Sequence, residues 1–174
     1  MRIFGIAGFK NAGKTTLIVA LVSELTRRGY RVATVKHAHH EFDIDHPGKD
    51  SHRHREAGAA EVIVASSRRW AHIAELGNAS EPDLAQLLQH IGDVDLVLVE
   101  GYKHGDHPRL EVRRAGQADP VLAATVPEIR AVVTDESLPH LDVPIFARDD
   151  ISPIADFIEQ QGGLKKTGSD TNSD

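Results

Sequence analysis

An apolar run that ends in a glycine-bracketed loop and restarts as an amphipathic helix constrains this chain more than any other feature. Residues 2–7, RIFGIA, form a short apolar segment read as a buried strand. They run into Gly8-Phe9-Lys10-Asn11-Ala12-Gly13-Lys14-Thr15, which fits G-x-x-x-x-G-K-[ST] at every fixed position. Residues 14–28 are predicted as a helix, because Leu17, Ile18, Leu21, Val22 and Leu25 recur at helical spacing. Arg27 and Arg28 suit the negative end of its dipole, and Gly29 suits the left-handed stop. Residues 31–36, RVATVK, are a second strand, and the short turns on either side of the helix favour a parallel pair. The glycines permit a loop tight enough to wrap an anion. The amides of Asn11, Ala12 and the helix start then point at phosphates, Lys14 adds charge to the β- and γ-phosphates, and the Thr15 hydroxyl suits Mg²⁺. A chance match in a glycine turn would need neither the strand before it nor the helix after it.

The remaining pattern predicts an α/β protein with a mostly parallel sheet. A polar loop over 37–50 carries Pro47-Gly48 and precedes a short helix at about 51–57. Residues 61–66 and 70–76 read as strands joined by Ser67-Arg68-Arg69, which makes them an antiparallel hairpin. A helix is expected over about 81–91, with Ser80 as cap and Asp83 completing the box. Residues 94–99, VDLVLV, are the most apolar strand and are placed centrally. Further strands are expected at 109–114, 130–134 and 143–147, then a helix over 152–160 with Ser152 as cap and Pro153 at its first position. One domain over 1–160 and a disordered polar tail over 161–174 are expected.

Composition narrows the function classes. The net charge of −6 argues against general nucleic-acid binding, which needs clustered cations. With no Cys, disulfides and thiolate metal sites are excluded. No apolar run approaches the roughly 20 residues of a bilayer span. The first strand begins at Arg2 or Ile3, leaving no room for a signal peptide, so a cytoplasmic protein is expected.

A phosphate loop needs an acidic residue at the end of a neighbouring strand to orient Mg²⁺ and its waters. Glu100 closes Leu96-Val97-Leu98-Val99 and is the candidate, although Asp is usual there; its alternative is a plain strand end. Asp45 and Asp50, in the loop after the second strand, are read either as γ-phosphate and magnesium sensors or as solvated carboxylates. Lys14, Glu100 and Asp45 are therefore the candidate catalytic residues, and Thr15, Glu100 and Asp50 the candidate metal ligands. His37, His39 and His40 form the densest cluster among eleven histidines. With Lys49 they could meet an anionic substrate, form a metal site, or simply line an exposed loop. Lys103, just past Glu100, sits where open α/β sheets bind ligands, or else is a solvated cation.

Four segments in order, GFKNAGKTTL, VKHAHHEFDIDHPGKDSHRHREAGA, DLVLVEGYKH and AVVTDE, resemble the molybdopterin-guanine dinucleotide biosynthesis protein B family, MobB. The phosphate loop is shared by many families, whereas the histidine-aspartate segment and the VEGYK ending are far more specific. The resemblance spans roughly residues 2–160 and implies a P-loop NTPase three-layer fold with an antiparallel hairpin extension. It further implies a homodimeric GTP-binding adaptor with weak GTPase activity, using Mg²⁺. Such an adaptor acts beside the molybdenum cofactor guanylyltransferase that attaches GMP to molybdopterin, and meets molybdopterin or its guanine dinucleotide. Family nucleotide roles carry over onto Gly8, Gly13, Lys14, Thr15 and Thr16, and the magnesium role onto Glu100. Related dimeric ATPases place a lysine after the first loop glycine, where this chain has Phe9. The guanine-reading N-K-x-D is absent; Thr134-Asp135 resembles a reduced form and Asp149 is its rival.

Two other readings use the same loop. A small-molecule kinase would add an arginine-rich lid, for which Arg53 and Arg55, or Arg113 and Arg114, are sparse candidates. A metallochaperone GTPase would use the histidine-rich loop.

Overall fold

The computed structural model describes residues 1–38, 42–102 and 105–164. By its contacts the chain divides into two compact units, one built from Met1–His37 with the chain from Leu88 onward, the other from Ala38–Leu87.

The first unit opens with β1 (Arg2–Ala7), α1 (Lys14–Arg27) and β2 (Val32–Lys36). The second contains α2 (Asp50–Glu56) and the strands β3 (Glu61–Ala65) and β4 (Trp70–Ala74); the short α3 (Leu84–Leu88) straddles the division. Then come β5 (Leu96–Glu100), β6 (Arg109–Val112), β7 (Ile129–Val133), β8 (Ile145–Phe146) and α4 (Ile151–Gly162). The sheet runs β2-β5-β1-β6-β7-β8 and every pairing in it is parallel. β5 is interior as its apolar sequence requires, but β1 and β6 hold the centre. All carboxyl ends therefore share one edge, and Glu100 stands in register with Ile6 and Lys36.

Alternation along the strands builds the core. Phe4 and Ile6, Leu96 and Leu98, Leu110 and Val112, and Ala131 and Val133 are buried with Leu17, Leu21 and Leu25 of α1 and Ile154 and Ile158 of α4. Arg28 fastens the two helices: it donates to Glu24 Oε1 at 2.8 Å and Glu159 Oε1 at 2.7 Å, and pairs with Asp156. Hydrogen bonds from Arg27 and Arg28 hold the Glu24 carboxyl down at about 2.

Helix starts differ from the sequence expectation. α4 is capped at Asp150, and Pro153 is its third residue, still inside the first turn where a missing N–H removes no helical bond. The Ser152 hydroxyl instead accepts from Arg28 at 2.8 Å. α3 starts past Ser80: the Gln86 amide donates to Asp83 Oδ1 at 2.8 Å, and the Asp83 amide donates to Gln86 Oε1 at 2.9 Å. That is a capping box one turn later than expected, because Pro82 disfavours helical angles at Glu81.

In the second unit β3 and β4 pair antiparallel, with Glu61 opposite Ala74 and Ala65 opposite Trp70. Arg55 of α2 ties that unit together. It donates to Glu75 Oε1 at 2.7 Å, Asp43 Oδ1 at 3.0 Å and Asp45 Oδ2 at 3.3 Å.

Candidate functional site

The loop between β1 and α1 owes its shape to three residues with positive φ: Gly8 at 142°, Asn11 at 63° and Gly13 at 103°. Asn is the side chain that best tolerates the left-handed region, so the loop spends no bulky residue there. A Cβ at Gly8 would come within 2.5 Å of the Val112 carbonyl oxygen, so glycine lets β1 leave the sheet pressed against β6. The Ala12 amide donates to the Phe9 oxygen at 3.2 Å, closing the turn, and Ala12 itself is buried.

Lys14 folds back over this turn. Its ammonium donates to the Gly8 and Phe9 carbonyls, both at 2.9 Å. Burial lowers its pKa, and the nearby Glu100 carboxylate opposes that shift. The Thr15 hydroxyl lies 3.4 Å from both Glu100 oxygens. The Glu100 side chain is only 12% exposed, and its far neighbour is the Lys36 ammonium at 3.9 Å. The His37 amide donates to the Glu100 carbonyl at 2.9 Å, and the His37 ring tilts against Tyr102 at 5.1 Å. Gly101, at φ 92°, makes the turn after Glu100; a Cβ there would sit 3.2 Å from that of His37.

The structure therefore brings Gly8, Asn11, Ala12, Gly13, Lys14, Thr15 and Glu100 to one edge, with Thr16 exposed on the first turn of α1. Thr15 and Glu100 offer a hydroxyl and a carboxylate, the hard oxygen donors that suit Mg²⁺ completed by water and phosphate. Asp45, Lys49 and Asp50 belong to the other unit. There Asp45 accepts from the Ser51 hydroxyl at 2.8 Å, from the His46 amide at 3.0 Å, and from Arg55. Burial would raise the Asp45 pKa, but those donors outweigh it and the net shift is downward. Asp50 opens α2 and Lys49 is its cap residue. His39, His40 and Lys103 lie outside the described residues, as do residues 165–174 of the tail.

Two features escaped the sequence reading. Glu111 on β6 and Arg113 just past its end are fully or almost fully buried and lie 3.3 Å apart. The Glu111 carboxylate accepts from the amides of Leu122 and Ala123 at 3.1 and 2.8 Å, and Arg113 donates to the carbonyls of Gln117, Asp119 and Pro120. Together they staple the loop between β6 and β7 beside the phosphate loop. The second is Arg148, just past β8. Its Nη1 donates to the carbonyls of Ala12 and Arg113, both at 2.8 Å, and its guanidinium is packed on Gly13. The Arg148 amide donates to Asp135 Oδ1 at 3.2 Å. Its only sequence signal was its place one residue before Asp149 in the polar stretch that follows the last strand.

Comparison with known proteins agrees with this geometry. Residues 3–135 match the family described as molybdopterin guanine dinucleotide synthesis protein B. The chain is 38% identical over 159 residues to the Escherichia coli molybdopterin-guanine dinucleotide biosynthesis adapter protein, covering 90% of each. It is 40% identical to the Haemophilus influenzae protein of that description, covering 90% of this chain and 87% of the relative. A crystal structure of molybdopterin-guanine biosynthesis protein B superposes with a TM-score of 0.68 at 30% identity, covering 91% of this chain and 97% of the other. A MobB homologue from Bacillus stearothermophilus gives 0.70 at 26% identity, covering 94% and 99%.

Proposed function

The chain belongs to the MobB family of molybdopterin-guanine dinucleotide biosynthesis adapter proteins and has a P-loop NTPase fold, and from that premise we propose that it binds GTP with Mg²⁺ and hydrolyses it slowly. The observation that carries the reading is the convergence of a complete phosphate loop with Glu100, whose carboxylate faces the Thr15 hydroxyl across the edge of β1 and β5. The Lys14 ammonium, held on the Gly8 and Phe9 carbonyls, lies where it can turn towards the β- and γ-phosphates. Thr15 and Glu100 would hold Mg²⁺, which would neutralise charge developing on the phosphate oxygens. Glu100 also suits the orientation of the water that attacks the γ-phosphorus, releasing GDP and phosphate. Phe9, next to Gly8, offers no cation to the β–γ bridge, which fits weak turnover.

As an adaptor in the cytoplasm, the protein would present this state to the guanylyltransferase that joins GMP to molybdopterin. His37, His39, His40, Lys49 and Lys103 are the proposed contacts for the anionic pterin, with Asp45 and Asp50 answering to nucleotide and metal. It would act as a homodimer: Ile63, Val64 and Trp70 on the β3–β4 pair are exposed, and a second copy would cover them.

The test compares wild type, Lys14→Ala and Glu100→Gln by GTP titration and phosphate release over a range of magnesium concentrations. Lys14→Ala is expected to lose affinity or turnover with its fold intact, and Glu100→Gln to lose magnesium-dependent turnover more than binding. A folded Lys14→Ala protein with unchanged GTP binding and hydrolysis refutes the reading.

A further inference from the structure

We infer that Lys10, on the crest of the phosphate loop, distinguishes a nucleoside triphosphate from a diphosphate by meeting the outer oxygens of the γ-phosphate; this rests on the nucleotide reading above and deepens it. The turn that the Ala12 amide closes on the Phe9 oxygen, at 3.2 Å, has Lys10 and Asn11 as its two central residues. Asn11, at φ 63°, takes the third of the four positions, where a type II turn requires a positive φ. Lys10 takes the second position and is exposed.

The Lys14 ammonium marks where the terminal phosphates sit. It donates to the Gly8 and Phe9 carbonyls, both at 2.9 Å. The Phe9 carbonyl belongs to the peptide that leads into Lys10, so one planar unit separates the Lys10 Cα from the oxygen on which that ammonium rests. A flexible stem of roughly 6 Å then carries the Lys10 ammonium over the mouth of the loop. In a loop of this pattern the backbone amides cradle the α- and β-phosphates, and the lysine at the helix start reaches the β and γ. The ground beside the Lys14 ammonium on the Phe9 side therefore belongs to the γ-phosphate.

Other cations at this edge are already engaged. Lys36 stands 3.9 Å from Glu100 Oε2, and the same carboxylate acts on the Lys14 ammonium. Arg148 is committed to the Ala12 and Arg113 carbonyls. Lys10 makes no hydrogen bond or ion pair among the described residues. A mobile ammonium with no carboxylate to neutralise it, one peptide from the anion seat, is matched to the one group that GTP has and GDP lacks. It meets that group in bound GTP as well as in the transition state, so it strengthens binding more than turnover. Phe9 leaves the β–γ bridge without a second cation while Lys10 supplies one to the outer oxygens, which suits a protein that holds GTP and cleaves it slowly.

The experiment measures dissociation constants of the full chain, with magnesium, for GDP and for β,γ-imido-GTP, which keeps the γ-phosphate and resists hydrolysis. In Lys10→Met, an exposed change that spares the fold, the triphosphate should bind about five- to tenfold more weakly, as expected for one exposed charge a few ångströms from another, while GDP affinity changes by less than about twofold. Lys10→Arg should keep the wild-type ratio of the two affinities. Added salt should lower that ratio more in wild type than in Lys10→Met, because the contact is open to screening. Equal losses of both nucleotides in Lys10→Met would make Lys10 a prop of the loop, and unchanged affinities for both would make it a solvated lysine. Either result overturns this inference and leaves the nucleotide reading standing. Failure of wild type to bind either nucleotide would overturn the nucleotide reading and this inference with it.

Discussion

The two units are built on different forces. Among the described residues, the sheet unit holds nearly all of the buried apolar side chains, with Phe4, Leu21, Leu25, Leu96, Leu98 and Leu110 sealed between sheet and helices. The unit of Ala38–Leu87 buries Val62 but leaves Phe42, Ile44, Ile63, Val64, Trp70 and Leu76 exposed. It relies on Arg55 and the carboxylates of Asp43, Asp45 and Glu75. Apolar burial is not weakened by charge screening and supports a rigid ligand edge, whereas ion pairs near the surface are screened and fix geometry more than stability. The contrast teaches that the phosphate loop stands on a self-sufficient core, while the hairpin unit leaves large apolar side chains exposed.

The largest expected effect tests the core. Leu98→Ala should destabilise the protein by about 2–5 kcal/mol, the range for a fully buried leucine, as measured by urea unfolding. If it cost no more than a surface change, the asymmetry between the units would be wrong.

A smaller, local effect is expected for Arg55→Met. It should raise hydrogen exchange and protease cleavage across residues 43–75 while leaving protection of the sheet strands unchanged. High salt should mimic it in wild type, because Arg55 works through charge. Loss of protection throughout both units would show that the network supports the whole chain.

The response to pH sharpens the contrast further. Burial lowers the His107 pKa from 6.5, the Arg109 guanidinium adds to the shift, and Asp106 and Glu128 oppose it. His107 lies against Gly5 of β1, where a Cβ would come within 2.9 Å of its Nε2. The folded state therefore binds fewer protons here than the unfolded state. The stabilisation is complete above 6.5 and declines as pH falls towards the folded value. Asp43 and Asp45 have pKa values lowered from 3.8, Asp43 chiefly by the Asp45 amide, so the hairpin unit keeps these charges through that window. Urea midpoints measured between about pH 7.5 and about pH 5.5 should drop for wild type and flatten in His107→Gln.

The smallest effect on stability is expected at the exposed hairpin. At concentrations too low for self-association, Ile63→Ser should change unfolding free energy by no more than about 0.5 kcal/mol, because in the single chain that side chain is already in water. Light scattering should nevertheless show weaker self-association. A monomeric wild type at micromolar concentration would remove the second copy as the occupant of this surface.

Spacing along the chain was enough to determine the strand–loop–helix opening, the parallel run of strands, the hairpin, and the placement of Lys14, Thr15 and Glu100 at one edge. Each of these follows from periodicity, glycine conformation or strand polarity, which act over a few residues. Helix ends were legible only to within a turn, since Asp83 and Asp150 were chosen as caps by neighbouring prolines and by what Ser152 does for Arg28. Tertiary structure alone decided the rest. Arg148 reaches Ala12 across 136 positions of sequence, and nothing local marks a polar-loop arginine as the clamp of a distant turn. Residues 109–114 read only as a further strand, which says nothing of where Glu111 and Arg113 lie; both are buried because the β6–β7 loop folds over them and needs partners for its amides and carbonyls. A buried backbone group must find a donor or acceptor wherever the fold brings one, and that partner is set by packing, not by spacing in the chain.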